Sequence, residues 1–362
     1  MRIGIIALLS LLILGCGEKP ADTSAATADK QQTFKWKLVT TWPKNYPGLG
    51  SAPENFAKKV EAMSGGRLQV KVFGAGQLVP AFEVFDAVSQ GTAQMGHGAS
   101  YYWTGKSKAT GFFTSVPFGL NAQEMNGWLH YGGGLELWRE LYDQFNLIPF
   151  AGGSTGVQMA GWFNREINSM EDIKGLKMRI PGLGGDVITR AGGISVTMPG
   201  GELYTSMQTG VIDATEWVGP YNDLAFGFHQ VAKYYYYPGW HEPGPILELI
   251  VNKDAYASLP TDLQAIVETA ARAVNQDMLD EYTARNNTAL VELVETHGVE
   301  VRKLPDEVIA ELGRLSEEVL AELATDSEIA QRIAESVTAF KQQAMTYHGI
   351  SEEAYYNARK QQ

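Results

Sequence analysis

The sequence has little cysteine, little histidine, a shortage of basic charge and almost no long hydrophobic run, and each shortage closes off a class of protein. One cysteine among 362 residues cannot make an internal disulfide or a thiolate zinc or iron–sulfur centre, so packing must hold the fold. The six histidines are scattered without metal-ligand spacing, and no P-loop, His-Glu-x-x-His helix or catalytic cysteine motif is present. Lys and Arg number 29 against 41 Asp and Glu, a net charge of -12. That is the wrong sign for a chain that neutralises phosphates, and no nucleic-acid partner is expected. The one strongly apolar run is N-terminal and about a dozen residues long, too short to cross about 30 Å of hydrocarbon as a helix, so a polytopic membrane protein is excluded. What is there, 44% hydrophobic and 19% charged residues, describes a globular chain with length for about two domains.

The apolar run, Ile3 to Leu14 after Met1-Arg2, has the length of the h-region of an export signal. Ile13-Leu14-Gly15-Cys16 is similar to a bacterial lipobox, in which the cysteine is lipidated and becomes the new N-terminus; the plainer alternative is a cleaved signal with an incidental Cys16. Residues 17–32 contain no apolar side chain larger than Ala and cannot order themselves by burial. The expected organisation is a signal peptide over 1–15, a flexible tether over 16–33 and a folded body from near Thr33. Such a body works outside the cytoplasm, held to a membrane by lipid.

The body alternates strand and helix. Phe34 to Val39 and Arg67 to Phe73 alternate apolar and polar residues with period two, as strands with one buried face do. Pro53 to Met63 carries Phe56, Ala57, Val60 and Met63 at helical spacing and is stopped by Ser64-Gly65-Gly66. A helix over 81–90 and a short Gly-rich strand over 93–98 follow, and a second run of short strands and helices begins at Ile148 and ends with a strand over 213–217. Brief connections between alternating elements predict an α/β sheet with parallel strands. From Pro260 the pattern changes to long amphipathic helices over 261–295, from 306, and from 326 onward. Gly182-Leu183-Gly184-Gly185 lacks the full dinucleotide-binding spacing and is read as a tight strand-to-helix connection.

Polar and aromatic residues crowd between 155 and 245. Lys177-Met178-Arg179-Ile180-Pro181 sets one Arg in an apolar strand, where an inward guanidinium needs an acceptor: a ligand carboxylate or an internal ion pair. The order of these features resembles the solute-binding proteins of TRAP (tripartite ATP-independent periplasmic) transporters. It rests on Gln77-Leu78, the Gly91 to Gly96 segment, Met178 to Gly182, and Gly210-Val211-Ile212-Asp213-Ala214 followed by Glu216-Trp217. Gly156 to Met159, Thr215 to Asp223 and Tyr237 to Gly244 are similar to the branch that binds 2-oxo and 2-hydroxy monocarboxylates through a bound metal ion.

The resemblance implies a two-lobed α/β periplasmic binding-protein fold with crossing strands between lobes, a long helix spanning both, and C-terminal helices. Lobe I would take 34–156 and 245–285, and lobe II 157–244 and 286–362. It implies that Arg179 pairs with the solute carboxylate, while Gln158, Glu216, Glu242 and the Trp217 carbonyl hold a cation. That oxygen-only set suits Na+ or Ca2+ and not Zn2+. Trp217, Tyr101 and Tyr221 would wall the site, with the Tyr101 hydroxyl and the Asn222 amide as polar contacts. The implied partners are a small carboxylate and the membrane permease subunits, with no catalytic residues, and a homodimer through the C-terminal helices is known in the branch. An extracytoplasmic metal-dependent enzyme acting on 2-oxo acids and a sensory binding protein are the competing readings. His241 is expected to be a hydrogen-bonded structural residue, Tyr234 to Tyr237 sheet surface, Trp103, Trp128 and Trp138 core, and Asp213 and Asp223 turn or cap residues.

Overall fold

The computed structural model describes residues 32–361, so the expected signal peptide and Cys16 lie outside the described residues. The strands in chain order are β1 (Phe34–Thr40), β2 (Leu68–Phe73), β3 (Met95–Gly98), β4 (Leu147–Ser154), β5 (Gly161–Phe163), β6 (Lys177–Arg179), β7 (Ile194–Val196), β8 (Ala214–Thr215), β9 (Tyr234–Tyr237), β10 (Ile246–Asn252) and β11 (Glu300–Lys303). The helices are α1 (Ser51–Met63), α2 (Val84–Ser89), α3 (Ala122–Tyr131), α4 (Gly134–Asp143), α5 (Gly182–Arg190), α6 (Gly200–Gln208), α7 (Pro220–Phe226), α8 (Lys253–Ala257), α9 (Thr261–Val291), α10 (Asp306–Ala324), α11 (Glu328–His348) and α12 (Glu352–Arg359). No helix of the described residues is long and apolar enough to cross a membrane.

Two sheets result. The first has the order β2-β1-β3-β10-β4 and the second β11-β9-β5-β8-β6-β7. β1 shows why the alternation reads as a strand: Trp36 and Leu38 are buried while Lys35 and Lys37 are exposed. β1 runs parallel to β2 and β3, but β10 is antiparallel to both β3 and β4, so the first sheet is mixed rather than parallel as expected. The reason lies in the connectivity, since β10 re-enters from the second sheet and slots between β3 and β4 in reverse. All seven of its residues are buried, which removes the period-two signal. The strand expected over 213–217 forms ladder pairs only at Ala214–Thr215, and Glu216 and Trp217 leave the sheet edge with their side chains turned inward.

The chain passes between the sheets three times, through residues 155–160 after β4, through residues 238–245 before β10, and through α8 and α9 between β10 and β11; the first two passages are short crossovers. The two crossovers run side by side: the Gln158 N–H donates to the Glu242 carbonyl (3.1 Å) and the Ala160 N–H to the Tyr236 carbonyl (2.8 Å). Gly239 has to be glycine here, because a Cβ would come within 2.0 Å of the Gln158 carbonyl oxygen. α9 buries Leu263, Val267, Ala270, Val274, Met278 and Tyr282. It packs on α1 and β4 of the first sheet and on α7, which follows β8 of the second. α10 packs on α5, and α11 reaches across to α3 and α4, which precede β4. Trp128 and Trp138 stack on Phe113 at ring separations of 5.8 and 5.1 Å, each such pair contributing about 0.5–1.5 kcal/mol beyond its buried area.

Candidate functional site

Arg179 ends β6, the strand flanked by β7 and β8, with Met178 and Arg179 buried and Lys177 exposed. Pro181, two residues on, starts α5 and stops the strand. Only 1% of Arg179 is exposed, yet every arm of its guanidinium is engaged. Nε donates to the Met198 carbonyl (3.3 Å), Nη2 to the Tyr102 hydroxyl (3.2 Å) and Nη1 to the Glu216 carboxylate, and the plane lies 5.1 Å over the Trp217 ring. Burial works against the charge, but Glu216, Tyr102 and Tyr101 more than offset it and the guanidinium pKa is raised.

Around this pair sits a group of buried polar atoms without partners: Oε1 of Gln158, Oε2 of Glu216, Oε1 of Glu242 and both ring nitrogens of His241. Leaving such a group unsatisfied costs about 1–3 kcal/mol each, more for a charge, so their convergence calls for a bound partner. The Gln158 amide donates to Glu242 Oε2 (2.7 Å) and to Thr155 Oγ1 (3.3 Å), which aims its own oxygen at the cluster. Ligand atoms of Glu216, His241 and Glu242 all lie within 4.8 Å of one another. Burial, and then the Glu216 charge, push the Glu242 carboxyl well above the usual carboxylate range. With both carboxylates ionised the site would carry one negative charge more than the guanidinium offsets, which burial resists by holding the Glu242 proton, and the residues present fit a cation that takes the place of that proton.

A small cavity of about 10 Å³ opens beside this cluster. Arg179, Gln158, Thr155, Tyr101 and Tyr102 give it polar walls, and Trp42, Leu49, Trp217, Val218 and Leu247 apolar ones. The residues come from both sheets. Trp42 is held by donating its indole N–H to His97 Nδ1 (2.9 Å), and His97 in turn faces the Gly152 carbonyl (3.1 Å). A groove of about 600 Å³ between α5 and α10 is larger, but none of its lining atoms is a buried polar group without a partner. The small cavity beside the buried cluster is the one with chemistry to offer.

A model of the bacterial extracellular solute-binding proteins, family 7, matches residues 38–326. The chain belongs to this family. It is 42% identical over 352 residues, 97% of this chain and 95% of the other, to a monocarboxylate 2-oxoacid-binding periplasmic protein of Nostoc sp.. A TRAP periplasmic solute-binding protein of Pseudoalteromonas atlantica, solved with bound sodium and pyruvate, superposes with a TM-score of 0.88 at 43% identity over 90% of this chain and 99% of that one. One from Colwellia psychrerythraea, with bound calcium and pyruvate, does so with a TM-score of 0.88 at 44% identity over 90% and 100%. The present chain is therefore an extracytoplasmic solute-binding protein of the TRAP type with the two-lobed α/β fold, and it is not an enzyme.

Within this TRAP solute-binding protein, the structure brings Gln158, Arg179, Glu216, Trp217, Glu242 and Tyr101 together, as the sequence suggested. It does not bring Tyr221 or Asn222. The Tyr221 hydroxyl donates to Glu281 (2.9 Å) on α9, outside the cavity. The Asn222 amide donates to the Pro47 carbonyl (2.8 Å) and its oxygen accepts from Tyr282, so neither end is free for a solute. Both residues sit on α7, whose packing against α9 turns them away. His241 is corrected as well: it has no hydrogen bond, and its Nε2 stands 3.5 Å from Glu216 Oε2. Asp223 is more than a cap. It is fully buried, accepts from Trp162 Nε1 (3.0 Å), Tyr235 (2.7 Å) and the Val218 N–H (3.2 Å), and burial raises its pKa to about 7. Tyr102 and Trp42 escaped the sequence reading, and the Tyr101-Tyr102 pair was the only signal for the former. Gly152 to Gly156 spells G-x-S-x-G, but Ser154 is fully buried at the end of β4 and its hydroxyl accepts from the Gly156 N–H (3.4 Å), with no base beside it.

Proposed function

We propose that this protein binds a small 2-oxo or 2-hydroxy monocarboxylate of the pyruvate or lactate kind, through Arg179 and a bridging Na+ or Ca2+. The observation that carries the reading is the convergence of unpartnered buried oxygens from Gln158, Glu216 and Glu242 beside a buried guanidinium. Relatives that hold pyruvate with sodium or with calcium support it. Arg179 presents its planar fork to the solute carboxylate, with Tyr102 and Met198 fixing the plane of the fork. Gln158, Glu216, Glu242 and the Trp217 carbonyl would hold the cation, which would supply the positive charge that offsets the two carboxylates and draws the oxygens of the solute to the site. The Tyr101 hydroxyl, kept protonated by burial and by Glu242, is a donor to the solute. Trp42, Leu49, Val218 and Leu247 receive the alkyl end, and the size of the cavity favours a short one.

In this reading lobe I comprises 34–156 and 245–285 and lobe II 157–244 and 286–362 with the C-terminal helices, of which α11 also packs on α3 and α4 of lobe I. The liganded form delivers its solute to the TRAP permease subunits in the membrane. Cys16 carries the lipid anchor, a role supported by its place after Leu14-Gly15 and by its being the sole cysteine. Exposed Met345, Tyr347 and Ile350 on and after α11 support a homodimer through the C-terminal helices. A thermal-shift screen of the full chain against small carboxylates, with EDTA or with Na+ or Ca2+, tests the core of the proposal. Stabilisation by 2-oxo or 2-hydroxy acids that vanishes in EDTA is expected; stabilisation indifferent to EDTA would remove the cation from the site.

A further inference from the structure

His241 is the residue of the cluster that an oxygen-only site leaves unexplained. It precedes Glu242 on the second crossover, is 1% exposed, and has no hydrogen-bond partner at either ring nitrogen. Its Cβ lies against α5, where a Cβ on Gly184 would come within 3.0 Å of it, and its ring stands 5.5 Å from that of Trp240. These contacts fix a polar ring in the interior while satisfying none of its polar atoms. Its Nε2 is 3.5 Å from the unpartnered Glu216 Oε2, and ligand atoms of Glu216, His241 and Glu242 are mutually within 4.8 Å. Two donors that each stand about 2.0–2.6 Å from one ion are no farther apart than about 5 Å, so this spacing is that of a shared coordination sphere.

We infer that His241 is a nitrogen ligand of the cation site, which thereby takes a borderline divalent ion such as Co2+, Ni2+ or Zn2+ as well as a hard one. The inference rests on the cation-bridged reading above and deepens it. Na+ and Ca2+ gain little from an imidazole, whereas first-row divalent ions gain a preferred donor, so His241 sets which metals the protein takes. It also replaces the donor set expected from sequence, two carboxylates, an amide and a carbonyl, by one that includes nitrogen.

The test uses the full chain stripped with EDTA, titrated with CaCl2 and with CoCl2 in the presence of pyruvate, as wild type, His241→Phe and His241→Gln. Both variants are expected to bind Co2+ at least about tenfold more weakly while Ca2+ affinity stays within about threefold. Mn2+ bound to the wild type should show 14N modulation in its electron spin echo, and this measurement needs no folded variant. Unchanged Co2+ affinity, an equal loss for both metals, or an echo without 14N modulation overturns the inference and leaves the cation-bridged reading standing. A wild type that binds neither metal, yet is stabilised by pyruvate, overturns both.

Discussion

Arg179→Lys isolates geometry from charge at the point where solute recognition is proposed. The guanidinium divides its donors among Met198, Tyr102 and Glu216 in three directions, and offers a planar edge to a carboxylate. An ammonium places three donors on one nitrogen and cannot meet the Met198 carbonyl and a bidentate carboxylate together. The variant therefore gives up one charge-assisted hydrogen bond to the solute, about 1.5–3 kcal/mol, and pyruvate affinity in Ca2+ should fall about 10- to 150-fold. Arg179→Met removes the charge too and leaves Glu216, which is fully buried, without its partner. Breaking a buried pair in this way costs about 3–5 kcal/mol, and the melting temperature should fall with the affinity. Calorimetric titration gives the affinities, and circular-dichroism melting shows whether each variant is folded. A folded Arg179→Lys protein with the wild-type dissociation constant would refute the role given to the fork.

Three further perturbations address the remaining features. Glu242→Gln keeps the shape but removes one negative charge, so the difference in pyruvate stabilisation between Ca2+ and EDTA buffers should shrink in a thermal-shift assay; an undiminished difference refutes its place in the cation site. Glu248, fully buried on β10, has its pKa raised to about 7 by burial, against which Trp103, Tyr142 and Ser100 donate hydrogen bonds. The folded state thus holds this proton more tightly than the unfolded chain, so stability from this group is full below pH about 4.5 and is lost as pH rises towards 7, by about 3 kcal/mol. His97, with its pKa lowered to about 4 by burial, acts oppositely: its contribution is full above about 6.5 and is lost as pH falls towards 4. Urea melts of Glu248→Gln at pH 5 and pH 7.5 should therefore show a smaller decline with rising pH than the wild type; an identical decline refutes the assignment. Gly161 has φ +122°, and a Cβ there would lie 2.5 Å from the Thr215 carbonyl oxygen and 2.9 Å from the Glu216 Cα. Gly161→Ala should destabilise the fold by at least about 1–3 kcal/mol and weaken pyruvate binding by displacing Glu216, measured by melts and calorimetry on the same preparation.

The fold was legible where one face of an element is wet. β1, β2, α1, α9, α10 and most of α11 show their period because polar residues mark the outer side. β10 was not, since a strand buried on both faces with a glutamate in its middle carries no alternation, and its antiparallel direction is fixed by a return path no local pattern encodes. α3 and α4 were missed too, though a capping box at Asn121 and Glu124 opens the first of them. At the site, Gln158, Arg179, Glu216 and Glu242 were found through motifs that lie on or beside the crossovers. Tyr102 and Trp42 were not, because their positions depend on contacts with Arg179 and His97 that are 77 and 55 residues distant in sequence. Tyr221 and Asn222 read as neighbours of Trp217, but Pro220 starts a helix directly after it and one turn of chain carries them to another surface.

Gln158 lies on one crossover and His241 and Glu242 on the other, with Glu216 between them at the end of β8. The two segments run antiparallel, Gln158 paired with Glu242 and Ala160 with Tyr236, so a change of angle between the sheets acts on both at once. In the proposed cation site, side chains that grip a common ion from both segments would resist that change. On that proposal the joint of the molecule and its coordination sphere would be one mechanical object, and a permease subunit that senses the angle between the lobes would need no separate view of the cargo.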